Sequence, residues 1–445
     1  MKSKKSIKRA VLGLLLFVLG VMTPTVIKAA EPANAPSVDA KGALVADLET
    51  GKVLVDQNGS ERLPIASMTK LITVYLIYQA IEEGQIAWDD TVPISDYVAT
   101  ISNNMELSNV PLSAYEVYTV KELLESVLVY SANGSAIALA ELIAGSEEYF
   151  VTKMNDLVSG WGINDAILLN ASGLPNKYRL EKEDDSLDPD AENEMSARDV
   201  ATVAYHLLTD FPEVLDITAQ PTVDFRADAN TTIKMHSYNH MLEGYDSYYE
   251  GVDGLKTGTT DGSGASFTGT AKKDDFRVIT VVIGSSEAEE RFHATAQLLD
   301  FTFENFKKTT IANAGDPVSH VKSIPVIKGK EKEVGISYGS NVVMMAPIGT
   351  VEMDLEAVFT PVKGLTTSDG KIEAPIEKGE KLGKVALTVT DDLGFIAGRK
   401  SEAESDAVAS DSVAKANIFV RAGRVISQFV KDLWSSAREF INAIL

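Results

Sequence analysis

The sequence predicts an α+β fold, α/β in the broad sense, in which helices cover an antiparallel sheet and a small all-β domain and a C-terminal amphipathic helix follow. Three observations support this. After residue 41, apolar segments of helical period are flanked by short hairpin-like strands. From about residue 308, short alternating segments are separated by turn residues at the spacing typical of all-β domains. The final segment repeats charged and apolar positions at helical spacing.

The chain length of 445 residues suggests two or three domains. Changes in composition along the chain place the boundaries. We expect residues 1–30 to be a signal peptide, 31–307 the main domain, 308–400 a small β-rich domain, 401–411 a linker and 412–445 an amphipathic helix.

Composition excludes several classes of function. Hydrophobic residues make up 45% and charged residues 24%, an ordinary balance for a globular protein. There is no cysteine, so a disulfide framework, a thiolate nucleophile and a zinc–thiolate site are all excluded. The net charge of −23 argues against general nucleic-acid binding, which requires a basic face. We expect neither a metal nor another cofactor.

The N-terminal segment has the pattern of a secretory signal peptide. Five basic residues in "MKSKKSIKRA" precede the apolar run "VLGLLLFVLGVM", and small residues follow at Ala29 and Ala30. The apolar run is too short for a stable span of about 20 residues, so we favour a cleaved signal over an uncleaved anchor. The sequence therefore predicts export.

The elements of the main domain follow from local patterns. "GALVADLETGKVLVDQ" predicts two strands joined around Glu49-Thr50-Gly51. "SMTKLITVYLIYQAIEEG" predicts a helix from Ser67 to Gly84, and "SARDVATVAYHLL" a helix capped by Ser196. Further helices are predicted at "TVKELLESVLVY", "SAIALAELIA", "EEYFVTKMNDLVSGWG" and "EERFHATAQLLDFTFENF", and further strands at "GVDGLKTG", "GASFTGTAK" and "FRVITVVIG".

Residues 181–194 form an acidic segment with eight carboxylates and one lysine. A metal-binding loop is one interpretation, but the spacing lacks the glycine and the terminal glutamate of a calcium loop. A solvated, mobile insertion is the interpretation we favour.

Ser67 and Lys70 are the first candidates for chemistry. In a helix beginning at Ser67, residue i+3 lies on the same face, so the two side chains can meet. A serine hydroxyl is a weak nucleophile until a neighbouring base takes its proton, and a partly buried lysine near other cations can be that base. Alone, S-x-x-K is a weak signal, because an N-cap serine followed by a surface lysine would give the same letters.

Two further motifs make chance improbable. Ser131-Ala132-Asn133 lies in a turn of small residues between two predicted helices, and Lys256-Thr257-Gly258 lies at the end of a predicted strand. S-x-x-K, S-x-N and K-T-G in this order resemble the penicillin-binding protein and serine β-lactamase superfamily. The phrases "LPIASMTKL", "LLNASGLPN", "MSARDVA" and "GVDGLKTG" resemble its low-molecular-mass D-alanyl-D-alanine carboxypeptidases along nearly the whole chain.

The resemblance implies a fold, an activity and a role for each motif residue. It implies a helix-covered sheet of the serine β-lactamase type, with residues 31–307 as a D,D-peptidase domain. The substrate would be a peptidoglycan pentapeptide ending in D-Ala-D-Ala, and β-lactam antibiotics would be covalent inhibitors. The implied roles are nucleophile for Ser67, base for Lys70, proton relay for Ser131, amide binding for Asn133, carboxylate binding for Lys256 and Thr257, close substrate approach for Gly258, and an oxyanion hole from the N–H groups of Ser67 and Thr259.

Other functions on the same scaffold remain open. A class A β-lactamase deacylates with a glutamate three residues before a Leu-Asn pair, whereas Ala166 stands there before Leu169 and Asn170. A D,D-endopeptidase or a transpeptidase would share every motif. A non-catalytic cell-wall binding protein is disfavoured by the intact motifs. His236 and His240 have i,i+4 spacing but lack the glutamate of a zinc-protease motif, so we interpret them as packing or loop residues.

The C-terminal segment predicts a helix lying in a membrane surface. One face carries Arg421, Arg424, Gln428, Lys431, Ser435 and Arg438. The other carries Phe419, Ile426, Phe429, Leu433, Ala437, Phe440 and Ile444. A helix with a basic face and an aromatic and aliphatic face binds in the interface plane. We therefore expect an exported protein on the outer face of the cytoplasmic membrane; the alternative is a helix packed on its own domain or on a partner helix.

Overall fold

The structure is a computed structural model that describes most of the chain. The described residues are 35–178, 188–318, 321, 323–348, 355–367, 370–389, 393–396 and 402–417, together with Trp434 and Arg438. The predicted signal peptide and nearly all of the predicted C-terminal helix lie outside them. Within the described residues, no helix is long and apolar enough to cross a membrane.

Helices and strands alternate in the first part of the chain, and strands predominate later. The helices are α1 (Lys70–Glu82), α2 (Asp96–Ser102), α3 (Val120–Val129), α4 (Asn133–Ala144), α5 (Glu147–Gly160), α6 (Ala197–Asp210), α7 (Leu215–Thr218) and α8 (Glu290–Asn305). The first eleven strands are β1 (Gly42–Asp47), β2 (Val53–Gln57), β3 (Leu63–Pro64), β4 (Thr91–Val92), β5 (Tyr118–Thr119), β6 (Glu194–Met195), β7 (Thr222–Arg226), β8 (Thr232–His236), β9 (Val252–Thr260), β10 (Gly264–Lys273) and β11 (Phe276–Ser285). The remaining strands are β12 (Phe306–Ala312), β13 (Ser323–Ile327), β14 (Glu333–Tyr338), β15 (Val342–Pro347), β16 (Leu355–Pro361), β17 (Ile372–Glu373), β18 (Lys381–Val389) and β19 (Glu402–Ala409).

A five-stranded antiparallel sheet in the order β2-β1-β11-β10-β9 organises the main domain. Successive side chains of a strand point to opposite faces, so β1 supplies two cores. Leu44 and Ala46 join the larger apolar cluster, which contains α1, α3 and α4, while Ala43 and Val45 join the cluster under α8. The helix-covered antiparallel sheet predicted from the sequence is confirmed.

Helix α1 is the centre of the larger cluster. Apolar residues surround it on all sides, as is typical of a fully buried helix, and ten of its thirteen residues are buried. It ends at Glu82, before Gly84, whose φ of +69° only glycine adopts readily. The structure differs from the prediction at the start. Ser67 lies in a 3₁₀ turn, Ala66–Thr69, and the α-helix begins at Lys70.

The small β-rich part contains a six-stranded sheet in the order β16-β18-β19-β14-β13-β17 and the pair β12-β15. The linker predicted at 401–411 is wrong, because residues 402–409 form β19, between β18 and β14. Its acidic composition suggested a linker, but Ala407 and Ala409 alternate into the core. Its carboxylates pair with lysines of β18, in Lys381–Asp406 and Lys384–Glu404, each at 2.6 Å.

The connection between β18 and β19 attaches this sheet to the main domain. Val53 N donates to Gly394 O, and Ile396 N donates to Gly51 O, each at 3.0 Å. Ile396 is buried and belongs to the larger apolar cluster of the main domain. Arg198 of α6 donates to Leu393 O at 2.7 Å. Residues 393–396 therefore extend the edge of the main sheet.

Two other predictions are corrected at segment ends. Residues 412–417 were expected to begin the C-terminal helix, but Val413 and Lys415 form β-bridges to Ile376 and Gly329. The acidic segment was expected to be solvated, but its last described part is buried at Glu192 and Asn193 and continues into β6. Residues 181–187 lie outside the described residues. The predicted cap of α6 at Ser196 is confirmed by its reciprocal bonds with Asp199.

Candidate active site

Ser67 lies in a tight turn at the entrance to α1. The preceding residue, Ala66, has φ +45°, a left-handed conformation that is uncommon for a residue with a side chain. Such strained residues cluster at functional sites, where the surrounding structure holds them. Ser67 is half-exposed, whereas Ala66 and Met68 on either side are buried. The turn therefore presents one hydroxyl to solvent from an otherwise buried segment.

Lys70 Nζ is fully buried and contacts three oxygens. It lies 2.8 Å from Ser67 Oγ, 2.7 Å from Asn133 Oδ1 and 2.6 Å from the carbonyl oxygen of Ser172. The orientation of the Asn133 amide is fixed, because its Nδ2 donates to Ser108 O at 2.9 Å. The atom facing Lys70 is therefore the amide oxygen. None of the three partners is a carboxylate.

The surroundings of Lys70 shift the pKa of its amine. Burial holds the pKa of the Lys70 amine well below its ordinary value, and the positive charge of Lys256 makes a smaller contribution in the same direction. A neutral amine has two N–H bonds and one lone pair. Asn133 Oδ1 and Ser172 O can only accept, so they take the two N–H bonds. In this neutral form the lone pair would face Ser67, whose O–H would then be the donor, whereas an ammonium would donate to all three oxygens.

The S-x-N motif occupies the turn between α3 and α4. Ser131 is buried with φ +57°, and Asn133 is the first residue of α4. Asn133 N donates to Ser108 O at 3.0 Å, so the motif is held by the loop before α3. The structure brings Asn133 into hydrogen-bonding contact with Lys70. Ser131, two positions before Asn133 in the sequence, is not among the three partners of Lys70 Nζ.

The K-T-G motif lies within β9, rather than at the end of a strand as the sequence predicted. Lys256 and Thr257 are buried, and Thr259 is exposed. Burial, with a smaller contribution from the charge of Arg291, lowers the pKa of Lys256 to about 7. Lys70 and Lys256 are both buried, and the charge of Lys256 contributes to lowering the pKa of Lys70.

Gly258 has a structural role in addition to the substrate approach that the resemblance implies for it. A Cβ at this position would lie 2.9 Å from Ile65 O and 3.3 Å from Ala66 Cβ. The missing side chain therefore lets β9 pack against the turn that carries Ser67. This contact sets the distance between the K-T-G strand and the turn that carries Ser67. The implied role of Gly258 in substrate approach stays a prediction.

Arg291 was missed by the sequence analysis. It is buried at the start of α8 and donates from Nη1 to Thr259 Oγ1 at 2.8 Å and to Gly258 O at 3.2 Å. Its Nε has no hydrogen-bond partner among the described residues. Nothing in the local sequence marks it, since a single arginine in an amphipathic helix is ordinarily a surface residue.

The loop after α5 was also missed as a part of the site. Asn170 Oδ1 accepts from Gly173 N at 2.6 Å and from Ser172 N at 3.1 Å, which orients the Ser172 carbonyl that contacts Lys70. Gly173 has φ +81°, and a Cβ there would lie 1.9 Å from Ala66 O. The phrase "LLNASGLPN" contains these residues, but a backbone carbonyl has no sequence signature.

The described residues contain no group of three or more His, Cys, Asp or Glu side chains arranged to hold a metal ion. His236 ends β8 and is exposed. His240 Nδ1 lies 3.0 Å from Glu289 Oε1, in an exposed pair. The two histidines thus occupy surface positions.

Comparisons with known proteins show which family this chain resembles. The family profile described as D-alanyl-D-alanine carboxypeptidase (peptidase S11) matches residues 28–287, and that of the C-terminal domain of penicillin-binding protein 5 matches residues 306–413. The chain is 30% identical over 393 residues to D-alanyl-D-alanine carboxypeptidase DacF of Bacillus subtilis, covering 88% of this chain and 90% of that protein.

Two solved structures have the same fold. The peptidoglycan synthesis regulatory factor PBP3 of Streptococcus pneumoniae is 37% identical, with a TM-score of 0.70 over 85% of this chain and 100% of that one. Penicillin-binding protein D2 of Listeria monocytogenes, solved with ampicillin bound, is 28% identical, with a TM-score of 0.50 over 61% of this chain and 100% of that one.

The chain therefore belongs to the D-alanyl-D-alanine carboxypeptidase family of the penicillin-binding proteins. Its function is that of a serine-type D-Ala-D-Ala carboxypeptidase, a cell-wall hydrolase.

Proposed function

We propose that the chain removes the terminal D-alanine of peptidoglycan pentapeptides through an acyl-enzyme on Ser67, with Lys70 as the base. The observation that carries the proposal is the arrangement of Lys70 Nζ, which has two acceptor-only partners and Ser67 Oγ at 2.8 Å. A neutral amine held in this way can take the proton of the hydroxyl as it attacks.

Atoms and protons balance in each proposed step. Ser67 Oγ forms a bond to the carbonyl carbon of the penultimate D-alanine while its proton moves to Lys70 Nζ. The C–N bond breaks, and the leaving amine of the last D-alanine takes that proton, relayed by Ser131. Water then attacks the ester and gives a proton to Lys70. The ester C–O bond breaks, and Ser67 recovers its proton.

Lys256 and Thr257 would hold the terminal carboxylate of the substrate. The pKa of Lys256 is lowered to about 7. A bound carboxylate would raise this pKa and stabilise the positive charge of the lysine, which supports a role in anion binding. Asn133 would bind the substrate amide. The N–H groups of Ser67 and Thr259 would form the oxyanion hole, and each such donor typically contributes about 10²–10³ in rate.

A β-lactamase is the second candidate on this scaffold. Such an enzyme requires a base that activates water for rapid deacylation. Ala166 supplies no base, and the partners of Lys70 include no carboxylate. We therefore favour a carboxypeptidase that β-lactams inhibit by slow turnover. D,D-endopeptidase and transpeptidase activities share the same residues and are alternative outcomes of the test.

The test is mass spectrometry of the products formed from a muramyl pentapeptide. Loss of one alanine is the expected result. Cleavage of a cross-linked dimer with no alanine release would indicate an endopeptidase, and transfer of the acyl group to an added amine a transpeptidase. An unchanged peptide together with retained binding to cell walls would favour the non-catalytic alternative.

We also propose that the protein acts outside the cell, on the outer face of the cytoplasmic membrane. The support is the pattern of residues 1–30 and the two faces of the segment 418–445. The basic face of the helix would be attracted to anionic lipid, whereas the acidic remainder of the chain would be repelled by it. The peptide substrate, β-lactams and the membrane surface are the partners that we propose, and no nucleic acid is among them.

A further inference from the structure

The end of the acidic segment contacts the turn that carries Ser67. Asn193 is fully buried, and its backbone carbonyl accepts from Ile65 N at 2.9 Å. Its side-chain Nδ2 donates to Thr69 Oγ1 at 3.0 Å. These two contacts lie on either side of Ser67, and the second lies directly before Lys70. Asn193 thus holds both ends of the nucleophile turn.

The same side chain also holds the loop that carries the Ser172 carbonyl. Asn193 Nδ2 donates to Asn170 O at 2.9 Å, and its Oδ1 accepts from Leu169 N at 2.6 Å. Asn170 in turn orients Ser172 through the bonds of its own side chain. One asparagine therefore joins the segment that holds Lys70 to the segment that accepts an N–H bond from Lys70.

Glu192, the residue before Asn193, contacts the strand that carries the K-T-G motif. Glu192 is buried, and its Oε2 accepts from Thr260 Oγ1 at 2.6 Å, two positions after Gly258 on β9. A Cβ on Gly262 would lie 2.7 Å from Glu192 Oε1, so the turn after β9 also packs on this carboxylate. Two consecutive residues thus connect the nucleophile turn, the Ser172 loop and the K-T-G strand.

We propose that Asn193 is a positioning residue for acylation, which keeps the Ser172 carbonyl against Lys70 and so leaves the lone pair of Lys70 for Ser67. This inference rests on the proposed roles of Ser67 and Lys70. Without the amide, the Ser172 loop can move away from the turn. Lys70 then loses one of its two acceptors, and its remaining N–H bond competes for Ser67 Oγ.

The charged groups around Lys70 define what a pH profile will report. The charge of Lys256 on β9 acts on Lys70, and the charge of Arg291 on α8 acts on Lys256. Glu147 of α5 accepts from Ala171 N at 2.9 Å, beside the Ser172 carbonyl, and Glu192 is bound to β9. Acylation requires neutral Lys70, so its rate falls as the pH decreases through the pKa of this amine.

The test compares Asn193→Ala with the wild type in the full mature chain. A fluorescent penicillin reports the second-order rate constant of acylation across a range of pH. We expect a decrease of about 10²-fold, the scale for a misplaced catalytic group. We also expect the acidic limb of the profile to move to higher pH, because water that enters the loosened site favours the ammonium form of Lys70.

Two further variants make the result decisive. Leu299→Ala opens a cavity under α8, in the other apolar cluster, and controls for lost stability; it should lower Tm and leave the pH profile unchanged. Thr69→Val removes one partner of Asn193 at nearly constant volume and should slow acylation in a chain that folds.

A wild-type rate and profile in Asn193→Ala would overturn the inference. If that variant does not fold, a wild-type rate and profile in Thr69→Val would overturn it equally. Failure of the wild type to be labelled at Ser67 would instead refute the proposed function, and this inference with it.

Discussion

Lys70 Nζ lies 2.8 Å from Ser67 Oγ, and its other two contacts are to oxygens that can only accept. Burial disfavours the ammonium form, and the nearby charge of Lys256 adds to this effect. Both effects disfavour the ammonium form, and none of the three partners is a carboxylate that could form an ion pair with it. The effects expected of the variants below depend on this contact between Lys70 and Ser67 and on the residues that surround it.

Ser67→Ala should abolish both labelling by fluorescent penicillin and release of D-alanine. Loss of the nucleophile typically lowers kcat by about 10³-fold or more, because the remaining groups cannot form the acyl-enzyme. Ser159→Ala, on the exposed end of α5, is the matched control and should retain wild-type labelling. Peptide mapping of the labelled protein checks the site, and a label on Ser131 would contradict the assignment.

Lys256 should determine the preference for a free terminal carboxylate. The wild type should process the free acid about 10²-fold better than the C-terminal amide, measured as kcat/KM, because the amide leaves a buried cation site unpaired. Lys256→Gln should lose most of its activity on the free acid. Equal processing of amide and acid by the wild type would show that this role is wrong.

Lys256→Gln should also change how the stability of the protein depends on pH. The folded-state pKa of Lys256, about 7, is below the unfolded value, so the unfolded chain binds more protons between about pH 7 and 10.5. Wild-type stability therefore rises with pH in that window through this group, whereas a glutamine side chain does not titrate. The Tm of Lys256→Gln relative to the wild type should be highest at or below pH 7 and decrease towards pH 10. Scanning calorimetry at several pH values checks this, and a difference independent of pH would contradict it.

The acyl-enzyme formed with penicillin should be long-lived. Ala166 offers no base for deacylation, and no carboxylate contacts Lys70 in the described part of the chain. We therefore expect a half-life on the order of 10² s or more, much longer than a typical enzyme turnover. Intact-protein mass spectrometry after removal of free penicillin measures the decay. Rapid catalytic hydrolysis of penicillin would favour the β-lactamase alternative.

Removal of residues 418–445 should release the mature protein from membranes while leaving its activity on soluble peptides unchanged. The cut follows Asn417, because Val413 and Lys415 bridge to strands of the β-rich part. Burial of one apolar side chain contributes about 1.5–3 kcal/mol, and each basic residue near anionic lipid about 1 kcal/mol.

Phe429→Asp with Leu433→Asp should have the same effect, because it places charge on the apolar face of the proposed helix. Arg421→Gln alone should weaken binding only slightly and in a salt-dependent manner. Vesicle flotation measures the association. Equal flotation of truncated and full-length protein would contradict the anchor.

The sequence predicted the parts of the site that depend on side-chain identity. Ser67, Lys70 and Asn133 were found from motif spacing, and the structure joins them through Lys70. The sequence could not predict the Ser172 carbonyl, since any residue can supply a backbone oxygen. It could not place Arg291 either, because its contact with β9 depends on how α8 packs on the sheet.

Composition was the less reliable guide to the fold. Residues 402–409 and 192–194 were both interpreted from their acidic character, and both are parts of strands or buried contacts. In β19, Glu404 and Asp406 pair with lysines of the neighbouring strand, and Glu192 accepts a hydrogen bond from Thr260. These partners are distant in sequence, so charge alone predicted solvent exposure.

The proposed mechanism requires Lys70 to be a neutral amine that accepts the proton of Ser67. An NMR titration of protein labelled with ¹³C at lysine Cε, with the resonance assigned by its absence in Lys70→Arg, measures the protonation state of this amine. We predict a midpoint for Lys70 well below the ordinary lysine pKa of about 10.4, with the amine neutral at the pH where acylation is fastest. An amine that is still an ammonium at that pH would contradict its role as the base.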